Sequence, residues 1–178
     1  YFPGREAEIA RIIDSLPLDY VIGSVHFIDD WNFDGDESLY GKWSNDELYG
    51  IYYRLLQQAA ASGLFDTLGH LDIIKKFCVY PESDQTPLYE ETARIIRQAG
   101  LVVELNTGGL DKPCAEFYPS PRWLEILFAH DIPVTLSSDA HHPSQIARHY
   151  SQALSLLKKT GYHQIVRFHE RKRSWLRI

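Results

Sequence analysis

Four apolar, strand-like runs, at 19–27, 65–74, 101–109 and 132–139, each carry a pair of polar residues near the downstream end. Segments with helical spacing separate them, and that alternation leaves few folds open. Strand–helix–strand order implies βαβ units and a parallel sheet, either open or closed into a barrel. The helix boundaries support this reading. Ser44 with Glu47 three residues on reads as a capping box, and the helix it starts stops at Gly63. Thr86-Pro87 and Ser120-Pro121 are start signals for two further helices, the first ending at Gly100. A last helix is expected between Pro143 and Gly161, then a closing strand over 162–170 and a basic tail, RKRSWLRI. A chain of 178 residues suggests one core and one domain over 1–178.

Residues two apart on a strand share a face. The polar pairs are Ser24 and His26, His70 and Asp72, Glu104 and Asn106, and Asp139 and His141. All lie at strand C-terminal ends, the edge where α/β sheets and barrels gather functional groups. Taken singly, each has an ordinary explanation. A half-buried His is more often a satisfied rim residue, Glu104 and Asn106 can bond neighbouring loops, and Asp139 can cap the helix near Pro143. Those explanations must hold at four strands, always at the same edge. A shared ligand set accounts for all of them at once. Three imidazoles and a carboxylate suit Zn²⁺, Mn²⁺ or Fe²⁺. Such an ion lowers the pKa of a bound water, and several together neutralise a phosphoryl group.

The charge balance points the same way. A net charge of −6 argues against a binder of nucleic-acid backbones. An acidic chain acting on an anion needs another source of positive charge, which bound metal provides. Cys78 and Cys114 form neither a disulfide framework nor a zinc finger, which fits a reducing compartment. No apolar run reaches membrane length and no basic-then-apolar leader opens the chain, so a cytoplasmic protein without a membrane partner is expected. Other chemistries find little support. Ser137 and Ser138 are not in a G-x-S-x-G elbow, and NTGG lacks the Lys-Ser/Thr of a phosphate loop. His149, His163 and His169 fall outside the strand-end pattern, and His142 adjoins it.

The blocks VIGSVHF, GHLDIIKKF, ELNTGGLDKP with EFYPSP, and TLSSDAHHP, in that order and spacing, resemble the polymerase-and-histidinol-phosphatase (PHP) superfamily. Within it they are most similar to the monofunctional histidinol-phosphatases, over essentially the whole chain. The resemblance implies a distorted, seven-stranded (β/α) TIM-like barrel with a trinuclear metal centre at the strand C-termini. The reaction it implies is hydrolysis of L-histidinol phosphate to L-histidinol and phosphate, in histidine biosynthesis. It puts His26, His70, Asp139 and His141 on metal-ligand positions, with Asp139 and His141 also serving the proton transfer. Glu104, Asn106, Lys112 and His142 are the residues expected to meet a small phosphorylated substrate.

The family's opening His-x-His strand, and a Glu expected two residues before the position of Tyr1, have no counterpart here. The chain therefore reads as the C-terminal two-thirds of such a domain, lacking its first βα units. A partial barrel of this kind is expected to bind metal weakly, to be inactive by itself and to expose sheet edges that invite association. Its oligomeric state is not fixed by the sequence. Where relatives carry arginine, this chain has Asp111, Lys112 and His142, and a lysine lacks arginine's bidentate fork. The competing readings are a phosphoesterase of the same type with another phosphorylated substrate, and a non-catalytic fragment.

Overall fold

The strands are shorter than the apolar runs that contain them. The computed structural model describes residues Tyr1–Ile178. In order these form α1 (Glu6–Asp14), β1 (Ile22–Gly23), α2 (Asn45–Ala61), β2 (Thr67–Leu68), α3 (Thr86–Ala99), β3 (Val102–Asn106), α4 (Pro121–Ala129), β4 (Val134–Ser137), α5 (Tyr150–Thr160), β5 (Gln164–His169) and β6 (Lys172–Arg177). Strands β1 to β4 pair in sequence order and all run parallel, giving the expected α/β arrangement. The sheet is open, since β1 and β4 each have one parallel neighbour. β2 ends early because His70 takes a left-handed backbone (φ 24°) and Ile73–Lys75 wind into a 3₁₀ turn. His70 and Asp72 therefore do not share a face. No helix is long and apolar enough to cross a membrane.

Local signals placed most helix ends. The Ser44 hydroxyl accepts from the Glu47 N–H, and the Glu47 carboxylate accepts from the Ser44 N–H at 3.0 Å. Ser120 caps α4 by accepting from Trp123 N–H, and Gly100 ends α3 in a left-handed conformation (φ 66°). Thr86 is not the cap of α3 but its first residue. Asp84 takes up both the Thr86 N–H and hydroxyl, so the turn starts earlier than expected. The helix expected from Pro143 is split. Pro143–Gln145 form a 3₁₀ turn, and Ala147 and His149 then adopt positive φ before α5 begins at Tyr150. Contacts to the end of β3 hold this break in place, with the Thr107 hydroxyl donating to the Arg148 carbonyl at 2.7 Å.

The basic tail is not a tail. Lys172–Arg177 form β6, antiparallel to β5, and the hairpin lies beneath the N-terminal ends of the parallel strands. Arg171 N–H donates to the Asp19 carbonyl before β1, and its guanidinium meets Asp66 before β2 at 2.6 Å. Arg173 donates to the Gly100 carbonyl before β3. Trp175 shares an apolar cavity with Ile132 and Pro133 before β4. The charges that made the segment look like a solvated end are the groups that tie it down.

The core lies between the sheet and its helices. Leu68, Val103 and Leu105 from the strands meet Leu56 of α2, Ile96 of α3, Leu127 of α4 and Leu157 of α5, all fully buried. Each such side chain contributes about 1.5–3 kcal/mol by leaving water. Trp123 stacks on Tyr53 and donates its indole N–H to the Tyr53 hydroxyl at 2.8 Å, so neither buried polar group is wasted. Between β3 and the 114–120 loop the packing leaves no room for a side chain at Gly109. A Cβ there would run into the Glu116 backbone carbonyl and the Tyr118 ring. Gly109→Ala is expected to lower the stability by about 1–3 kcal/mol, read as a lower urea midpoint with unchanged slope.

Candidate active site

At the C-terminal edge of the sheet a cavity of about 430 Å³ takes in six of the residues singled out above: His26, His70, Glu104, Lys112, Asp139 and His141. They arrive from four strand ends and one loop, at the edge the strand-end pattern anticipated, although only the Ser24–His26 and Asp139–His141 pairs enter the cavity whole. The cavity also holds Ser24, Asp34, Lys76 and Tyr118, of which only Ser24 belonged to a recognised pair.

His70 is the centre of the arrangement. Its N–H donates to Glu104 Oε2 at 2.8 Å, which fixes the left-handed turn that carries the imidazole. Its ring stands edge-on to that of His26, with centroids 4.7 Å apart. Its Nδ1 is buried and has no hydrogen-bond partner. Burial pushes the His70 pKa down, against the opposing pull of Glu104, and keeps the imidazole neutral at neutral pH. Gly69 makes this approach possible, because a Cβ there would strike the Ser24 hydroxyl.

Asp139 also has a left-handed backbone (φ 49°), held by its N–H donating to Ser137 Oγ. Non-glycine residues in this region are strained, and two of them at one edge mark a place where geometry overrides local preference. His141 is largely exposed, its side chain 83% accessible, and its Nδ1 lies 2.9 Å from the Asp139 carbonyl. Gln145 accepts from the N–H groups of both His141 and His142 and so fixes this turn. His26 is turned by Asp34, whose carboxylate is 3.2 Å from Nδ1. No three His, Cys, Asp or Glu side chains stand close enough together to form a closed ligand set. The expected ligands thus line one cavity without converging.

Two expected substrate residues are engaged elsewhere. The Asn106 amide donates to Glu104 Oε2 at 3.1 Å and accepts from Gly108 N–H, so it braces Glu104 instead of facing the cavity. His142 caps the 3₁₀ turn through Ser144 and lies outside the cavity. Asp72 faces Ser120 N–H and the ammonium of Lys75, and not the cavity. Lys112 stands exposed at the cavity wall. Lys76 also lines the cavity, its ammonium 2.7 Å from Asp34 Oδ1. Burial works against the Asp34 charge, but His26 and Lys76 outweigh it and hold the carboxyl well below its usual range. Sequence reasoning passed over Asp34 and Lys76. The signals were a carboxylate inside the aromatic WNFD loop and a lysine pair inside the apolar run DIIKKF.

In kind, the donors suit a divalent cation. They are imidazoles and carboxylates in one cavity, one imidazole is neutral, and its buried nitrogen has no partner within the protein.

No family model matches the chain. Among known proteins it is 37% identical over 175 residues to the "Probable histidinol-phosphatase" of Deinococcus radiodurans, a match that covers 97% of this chain and 66% of that one. It is 26% identical over 169 residues to the histidinol-phosphatase of Lactococcus lactis, covering 92% of this chain and 63% of the relative. The crystal structure of histidinol phosphate phosphatase from Lactococcus lactis, complexed with zinc, L-histidinol and phosphate, shares the fold. Its TM-score is 0.78 at 24% identity, over 98% of this chain and 68% of that one. The chain spans about two-thirds of the length of the proteins it matches.

Proposed function

Because the chain is homologous to histidinol-phosphatases over nearly its whole length, we propose that it is the larger part of a metal-dependent phosphomonoesterase that hydrolyses L-histidinol phosphate to L-histidinol and phosphate. The observation that carries this reading is the buried, unpartnered Nδ1 of His70 in a cavity of imidazoles and carboxylates. The solved relative with zinc, L-histidinol and phosphate supports the choice of metal and substrate. In this reading the four parallel strands are the later strands of a distorted seven-stranded barrel, with the metal centre trinuclear in the complete protein.

His26, His70, Asp139 and His141 would hold the metal, zinc, manganese or iron. A divalent cation in such a site supplies positive charge for phosphoryl oxygens and lowers the pKa of a bound water. The rest falls to the chain's own residues. Glu104 is locked by His70 N–H and Asn106, and so keeps the His70 turn in place. Lys112 is the cation free to meet a phosphate oxygen as a point charge. Asp139 and His141, on one turn at the cavity wall, would serve the proton transfer to the departing alkoxide.

The test is phosphate release by the product of the open reading frame that encodes these residues, with L-histidinol phosphate and a panel of other phosphomonoesters. Release that prefers L-histidinol phosphate, stops on chelation and returns with zinc is the expected result. A preference for another phosphomonoester would replace the substrate and keep the chemistry. Metal-independent release, or none, would sink the proposal.

A further inference from the structure

Asp34 belongs to none of the strand-end pairs, yet it touches two groups that line the cavity. Its Oδ2 lies 3.2 Å from His26 Nδ1, and its Oδ1 lies 2.7 Å from Lys76 Nζ. Lys76 Nζ also donates to the Asp34 backbone carbonyl at 2.6 Å, so the ammonium is held by the main chain as well as the carboxylate. The loop that delivers Asp34 is rigidly seated. Phe33, immediately before it, is fully buried against the Tyr52 ring. Ile28 and Trp31 exchange backbone hydrogen bonds, the Trp31 indole donates to the Asp36 carbonyl, and the Tyr40 hydroxyl donates to that of Phe33. A carboxylate on so fixed a support sets the position of its partners, and not the reverse.

We propose that Asp34 is a positioning residue that fixes the tautomer of His26 and pins Lys76 to the cavity wall. An ionised carboxylate only accepts hydrogen bonds. Facing Asp34, Nδ1 of a neutral His26 must therefore carry the proton, which leaves Nε2 with the lone pair available to a cation. Outer carboxylates commonly orient ligating histidines in this manner. The metal half of the proposal rests on the functional reading given above; the tautomer half does not.

The chemistry of the amide makes Asp34→Asn a sharp test. An asparagine has one acceptor and one donor end. The Lys76 ammonium can pair only with the oxygen, so the NH₂ turns to His26. Nδ1 must then accept, and the proton moves to Nε2, the nitrogen a cation would need. In the metal-free 178-residue chain, long-range ¹H–¹⁵N spectra of the imidazoles should report the Nδ1–H form of His26 in the wild type and the Nε2–H form in Asp34→Asn. In the complete protein, zinc affinity should fall by about 10–100-fold in the variant. In a His26→Ala background, Asp34→Asn should change zinc affinity little, because its partner is gone.

An unchanged tautomer in Asp34→Asn overturns the proposal. A switched tautomer with unchanged zinc affinity, or a full second loss in the His26→Ala background, overturns the positioning role. A complete wild-type protein that takes up no zinc would instead contradict the metal reading, and the tautomer comparison would still decide what Asp34 does. Thermal melts of both variants separate these outcomes from simple unfolding.

Discussion

His70→Ala should lower zinc affinity by more than about 100-fold, since even outer partners of metal ligands are worth about 10–100-fold. Phosphate release by the complete enzyme should fall by about 10³-fold or more, the kinetic equivalent of the several kcal/mol a metal lends to developing charge. The reason lies in the burial of the side chain and in its Nδ1, which finds no partner within the protein. A nitrogen so placed is costly unless something outside the chain satisfies it. Removing the imidazole takes away that cost together with the ligand, so the variant should fold as well as the wild type or better. The two readouts therefore move in opposite directions. His163→Ala, at the other end of the sheet, should alter neither zinc affinity nor release. Release surviving undiminished in His70→Ala would end the proposed chemistry.

Lys75→Met should be the most damaging substitution for stability, at about 3–5 kcal/mol. For a chain of this size that is a fall of roughly 10 °C in melting temperature. The Lys75 side chain is 3% exposed, and its ammonium meets Asp72 Oδ2 at 2.9 Å, Glu116 Oε2 at 2.8 Å and the Phe117 carbonyl at 2.8 Å. Burial works against the Lys75 charge, but the two carboxylates outweigh it and raise its pKa. One ammonium serving two carboxylates also explains Asp72. Burial raises its pKa, Lys75 and the Ser120 N–H oppose this, and Glu116 adds to it.

Without Lys75 the buried Asp72 is uncompensated, and its folded-state pKa should rise further. A carboxyl with a raised folded pKa binds more protons folded than unfolded, so its contribution to stability declines as pH rises through that window. The deficit of Lys75→Met should accordingly be largest near neutrality and shrink as the pH falls and Asp72 takes up a proton. Urea midpoints at neutral and at acid pH check this. A deficit independent of pH would show that packing, and not charge, was lost.

How much was legible in the sequence follows from the range of each interaction. The ends of α2 and α4 and the stop of α3 were visible because Ser44 with Glu47, Ser120 with Pro121, and Gly100 act within one turn. β6 was missed because its reason to exist is remote. Arg171 in the turn before it and Arg173 within it find Asp66 and Gly100, far back along the chain, and its charges hide the alternation. That His26, His70, Asp139 and His141 line one cavity was legible, because each follows the C-terminal end of a parallel strand; alternation decided less, since His70 and Asp72 face apart. Asn106 shows the limit of that rule. It shares the face of Glu104, but its amide is consumed by Glu104 and Gly108. Asp34 arrives on a loop with no periodicity, so nothing in its neighbourhood announced which side chains it would meet.

The hairpin under the sheet also bears on how the molecule is made. Asp19 and Arg171 come together across almost the whole chain, joining the residue that leads into β1 to the turn between β5 and β6. During synthesis all four parallel strands emerge before the segment that clamps their lower ends. Until Arg171 and Arg173 are added, Asp66 and the Gly100 carbonyl lack the partners they have in the finished fold. Contacts this distant in sequence form late and slow the search for the native state. The hairpin, which follows all four strands in the chain, therefore decides when the nascent sheet is locked.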